Sequence, residues 1–72
     1  MLRKKIHSLN LVNSFNNTIY LELAYFENSK VYQIYSPGYC GEYLSKNKIA
    51  IFKKYIQLKN KMINVNKLRL KK

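Results

Sequence analysis

The sequence predicts an α+β fold: a three-stranded antiparallel meander, then one helix, then one further strand. Three observations carry it. Apolar and polar residues alternate in three stretches ahead of Pro37-Gly38, and a helical period of apolar residues runs from Ile51 to Met62. Alternation then returns between Asn64 and Leu70.

The first stretch, Ile6 to Val12, sets Leu9 and Leu11 on one pleat face and Ile6 and Val12 on the other. From Thr18 the pattern is cleaner, with Ile19, Leu21, Leu23 and Tyr25 on one face and Thr18, Tyr20, Glu22 and Ala24 on the other. Such a strand is half-buried. Phe26 to Ser29 interrupts the pattern and Lys30 to Ser36 resumes it through Tyr32 and Ile34, so these two strands form a hairpin. Tyr20 and Tyr32 are then expected to be cross-strand neighbours. Pro37-Gly38 stops the third strand, and Gly41 follows, so Ser36 to Lys48 is predicted to be a loop with two residues free to take positive φ.

Ile51, Tyr55, Leu58 and Met62 are spaced by four, three and four residues. Phe52 and Ile56 widen that stripe, and Lys53, Lys54, Gln57, Asn60 and Lys61 occupy the opposite face. The helix is predicted from about Lys46 to about Met62, with Ser45 as its N-cap. Asn64 to Leu70 is the last strand, and Lys71 and Lys72 have nothing after them to pack against.

Seventy-two residues allow one domain with a thin core, for which area set against chain entropy comes out near zero. Poor folding without a partner is the expectation. A lone Cys40 makes no internal disulfide, and with His7 it falls short of the four ligands of structural zinc, so neither metal nor cofactor is expected. No apolar run exceeds that of Ile49 to Phe52, far short of the roughly 20 residues that span a bilayer. Membrane insertion is not expected. Met1 to Lys5 is basic, yet Ile6 to Asn10 offers no h-region, so no leader is expected either.

Charge points to a polyanion. Fourteen Lys and Arg face three Glu, a net charge of +11, and ten of the basic residues lie from Lys46 onward with no acidic side chain among them. Such a segment repels itself unless an anion is near, and nucleic acid comes first among candidates; a solvated lysine face is the plain rival. Codon bias bears on the same point. Phe, Tyr, Met, Ile, Asn and Lys make up 40 of the 72 residues, which implies A/T-rich coding DNA of the organellar kind and inflates the lysine count.

Enzymatic chemistry is not expected. Glu22 lies on a strand, Glu27 in a hairpin turn and Glu42 in the basic loop, so no carboxylates gather for acid–base or two-metal work. Cys40 has no second thiol or paired base, and His7 is a strand residue without a catalytic partner.

Two segments are candidate RNA contacts. Ser14-Phe15-Asn16-Asn17-Thr18-Ile19, preceded by Asn13, falls where the first strand turns into the second. Paired asparagines serve a turn; they equally offer amide donors and acceptors to RNA, with Phe15 stacking on a base or buried as a staple. The second segment, Ser36-Pro37-Gly38-Tyr39-Cys40-Gly41, leads to Ser45-Lys46-Asn47-Lys48. Glycine-loop amides, a helix N-terminus and Lys46 and Lys48 would together hold an anion; a glycine-assisted turn capped by Ser45 is the structural alternative. The spacing is not that of a Walker A loop. Tyr39 and Tyr43 are the tyrosines best placed to stack on bases.

Together these segments resemble the universal small-subunit ribosomal protein number eleven. That family carries a Ser-Phe-Asn-Asn-Thr-Ile stretch, here Ser14 to Ile19, and a later glycine loop in which Ser36, Gly38 and Gly41 match and Ser45-Lys46 stands for a Ser-Arg pair. The loop departs from the family at Glu42, Tyr43 and Leu44, and no Ser-Thr-Pro precedes the helix. The resemblance covers roughly residues 5 to 70 and implies the N-terminal part of a ribonuclease-H-like mixed sheet, with residues 1–72 as one RNA-binding domain. The family's C-terminal half is absent, which implies its loss or its supply by a separate chain. By the same resemblance the protein binds ribosomal RNA in the small-subunit platform beside proteins numbers seven and eighteen, in an organellar, mitochondrial ribosome encoded in that organelle. Implied RNA contacts are Lys4, Lys5, Asn13, Ser14, Asn16, Asn17, Thr18, Ser36, Gly38, Gly41, Ser45, Lys46 and Lys48. The alternative is a free-standing basic module binding RNA or a membrane surface.

Overall fold

The computed structural model describes residues 2–71. Five strands and one helix follow in the order β1 (Arg3–Val12), β2 (Thr18–Phe26), β3 (Val31–Ser36), β4 (Gly41–Ser45), α1 (Lys48–Asn64) and β5 (Arg69–Leu70). They form one antiparallel sheet of order β4-β3-β2-β1-β5. The expected meander, helix and further strand are all present, in an α+β fold.

One strand was not anticipated. Gly41 to Ser45, expected within a loop, pairs with β3 from Ser36↔Gly41 to Tyr32↔Ser45. Gly38 and Gly41, at φ 83° and 75°, let the chain reverse over four residues, and amides of Tyr39 and Cys40 close the turn on the Ser36 carbonyl. Tyr43-Leu44 is too short a run to read as a strand unless a neighbouring edge offers the ladder.

The helix begins two residues later than expected. Asn47, not Ser45, is its N-cap: Asn47 Oδ1 accepts from the Ala50 amide, while Ser45 Oγ accepts from the Asn47 amide. Both satisfy donors that an uncapped helix start leaves open. The last strand shrinks to Arg69–Leu70 because Asn64 extends the helix and Lys67 takes a left-handed φ of 59°. Contrary to expectation, Lys71 is engaged, its amide donating to the Asn10 carbonyl at 2.8 Å; Lys72 lies outside the described residues.

The helix packs on one sheet face. Leu11, Leu21, Leu23 and Ile34 meet Ile51, Tyr55, Leu58 and Met62, with Leu68 closing the end. These are the helical stripe and the strand faces read from the sequence, each buried side chain contributing about 1.5–3 kcal/mol. Tyr32 stacks at 4.6 Å on Tyr25, its partner across β2–β3, rather than on Tyr20, which points to the other face.

That other face is polar, and its centre at Glu22, Ala24 and Gln33 is closed. A bulge at Lys5/His7 inserts Ile6 into β1, so Arg3 and Lys5 fall on the side of Glu22 and Ala24. Arg3 Nη1 then reaches Glu22 Oε2 at 2.5 Å, and Arg3 Nε and Nη2 both donate to Gln33 Oε1. Tyr20 donates to Glu22 Oε1, and Gln33 Nε2 donates to Glu42. Burial pushes the Glu22 carboxyl up, but hydrogen bonds from Tyr20 and Arg3 and the charges of Arg3 and Lys5 outweigh it and hold the group below its ordinary range. Glu27 is ion-paired with Lys4.

Candidate nucleic-acid interface

The two sequence motifs meet at one end of the sheet, but not with all their lysines. The β1–β2 loop (13–17), the β3–β4 turn (37–40) and the α1–β5 connection (65–68) share that end, as the strand registers require. Tyr39 Oη bonds Asn66 Oδ1 at 2.7 Å, tying the second loop to the third. Lys71 Nζ lies 3.3 Å from Thr18 Oγ1, tying the C-terminal strand to the first. None of the three loops contains an acidic residue.

Within the first loop the asparagines divide the work. Asn13 Oδ1 accepts from the amides of Phe15 and Asn17, and the Asn13 and Asn17 backbones pair. Asn13 therefore builds the loop. Asn16 sits at φ 65°, a backbone that asparagine tolerates better than most residues. Its side chain and that of Asn17 bond no other described residue, so both amides are free for a ligand. Ser14, Asn16, Asn17 and Thr18 are exposed, and Phe15 is 81 % exposed at the loop tip rather than buried as a staple.

The glycine loop is different. Ser36 is fully buried and its Oγ donates to the Tyr20 carbonyl, which makes it a strand-pinning residue. Gly38 and Gly41 are exposed in the turn. Because β4 intervenes, Ser45, Lys46 and Lys48 lie at the opposite end of the sheet, near the Tyr25–Tyr32 level where Lys4 also pairs. The single anion site expected from the glycine loop and the helix start is thus divided into two. Five-residue β4 separates them by about 13 Å.

The tyrosines expected as stacking platforms are largely engaged. Lys54 Nζ covers the Tyr43 ring at 4.7 Å, and Tyr39 is half-buried beside Cys40, whose thiol burial pushes up. His7 has a partner the sequence did not suggest: Nδ1 lies 2.8 Å from Tyr55 Oη. Burial, then the charges of Tyr20 and Glu22, pushes Tyr55 up to about 12, so its hydroxyl keeps its proton.

Three residues at the loop end escaped the sequence reading: Lys67, Arg69 and Lys71. Their separation of some fifty residues from Thr18 hid them. Only the antiparallel pairing of Val12 with Arg69 brings them to the asparagine loop.

Compared with known proteins, the chain matches no family model, no curated protein and no solved structure.

Proposed function

We propose that this protein is a structural RNA-binding component of the small ribosomal subunit, seated in its platform in a mitochondrial or other organellar ribosome. The observation that carries the proposal is the placement of Lys71 beside Thr18: a basic strand distant in sequence lies against an exposed loop bearing two unengaged asparagine amides. Cations without carboxylates suit phosphates, and free amides suit base edges or 2′-hydroxyls. The Ser14 to Ile19 resemblance favours ribosomal RNA among RNAs. Proteins numbers seven and eighteen are the neighbours it implies. No catalysis is proposed. The role is static, with Lys5, Lys46 and Lys48 as further cations at the far end, where Lys4 is paired with Glu27.

Titrating a short RNA duplex at several salt concentrations tests this. Arg69→Gln and Lys71→Gln should each lower the log–log salt slope by about 0.9. Unchanged slopes in both would remove the loop end from the interface.

The helix supports a second reading. Ile49 and Ile56 are 70 % and 55 % exposed on a helix carrying five lysines and no acid, the make-up of an interfacial helix. That helix is neither long nor apolar enough to cross a membrane. Binding to anionic vesicles without RNA, lost on Ile49→Ser with Ile56→Ser, would favour a membrane-surface module.

A further inference from the structure

A groove of about 930 Å³ opens at the loop end, lined by Val12, Ile63, Leu68 and Leu70 with Asn16, Arg69 and Lys71 around it. Its size is at the upper end of the range for small-ligand sites. Resting on the RNA-binding function proposed above, we propose that this groove receives one unstacked nucleobase of the bound RNA, with Arg69 and Lys71 on the phosphates flanking it.

Each wall matches a part of a nucleotide. Val12 from β1, Ile63 from the end of α1 and Leu70 from β5 present aliphatic surface to the faces of a base. The Asn16 amide, unengaged and set by the left-handed backbone, offers a donor and an acceptor to the base edge. Among the described residues Arg69 and Lys71 pair with no carboxylate, so their charge is open to phosphate. A second copy of this chain fits poorly, since it would bring those cations against their own kind.

The test uses the full chain and two RNAs of one stem sequence, one a flush duplex and one with a single bulged 2-aminopurine. The bulged RNA should bind about tenfold tighter, with its fluorescence rising as the base leaves the stack. Leu70 is 52 % exposed, so Leu70→Ser spares the core; it should abolish the preference while leaving flush-duplex affinity unchanged, and Leu70→Met should restore it. Circular dichroism checks that each variant keeps its helix. Equal binding of both RNAs by the wild type would overturn the base site while leaving RNA binding intact. Binding of neither would overturn both. Capture instead of an acidic, leucine-bearing peptide, lost on Leu70→Ser, would assign the groove to a protein partner and overturn the base site.

Discussion

Replacing Arg3 by alanine tests whether the polar face of the sheet is structural. Arg3 supplies three hydrogen bonds there, one to Glu22 at 2.5 Å and two to Gln33 Oε1 at 3.0 and 2.8 Å. Without it the nearly buried Glu22 carboxylate keeps only Tyr20. Stranding one partner of a fully buried pair costs about 3–5 kcal/mol. The Arg3 side chain is 34 % exposed, so water and Lys5 recover part of this, and about 2 kcal/mol is expected. In a chain of this length that lowers Tm by about 8–16 °C.

The pH dependence identifies the cause. In the native protein the Glu22 pKa is lowered from 4.5, so its stabilisation is present above that value and lost as pH falls through the folded pKa. In Arg3→Ala the hydrogen bond and the charge of Arg3 are gone while burial remains, so the folded pKa rises and the stabilisation present above 4.5 in the native protein shrinks. The gap between variant and wild type should be widest near neutral pH and narrow below pH 4.5. Thermal denaturation followed by circular dichroism in sulfate, which screens lysine repulsion, reads both. A gap of the same size at neutral and acid pH would refute the ion-pair account and leave lost packing by the Arg3 stem as its source.

Other consequences are equally open to measurement. Asn16→Ala should lose about 1–2 kcal/mol of stability because alanine resists φ 65°, whereas Asn16→Gly should be nearly neutral in stability. If the amide touches RNA, both should lose about 1–3 kcal/mol of binding, and wild-type affinity in Asn16→Gly would reduce this residue to a turn former. Ser36→Ala should destabilise by about 1–2 kcal/mol through the orphaned Tyr20 carbonyl while sparing RNA affinity, which equilibrium unfolding and a binding titration separate. Met62→Ala, which empties a fully buried position beneath the helix, should cost about 2–5 kcal/mol by denaturant unfolding. RNA or sulfate should raise Tm, since anions relieve a net charge of +11; indifference to both would count against a polyanion partner.

The meander, the helix and its buried stripe are legible in the chain alone, because period-two and period-3.6 patterns are local and survive without knowledge of neighbours. So is the asparagine loop, whose turn chemistry is written in adjacent residues. The rest depends on contacts between distant segments. β4 exists because the β3 edge offers it hydrogen bonds, and its presence sends Lys46 and Lys48 to the end opposite Gly38. Glu22, which reads as a solvent-facing strand residue, is buried because a one-residue bulge in β1 turns Arg3 toward it. Lys71 reaches Thr18 through pairing between residues more than fifty positions apart, and a contact of that range leaves no periodic trace in the chain.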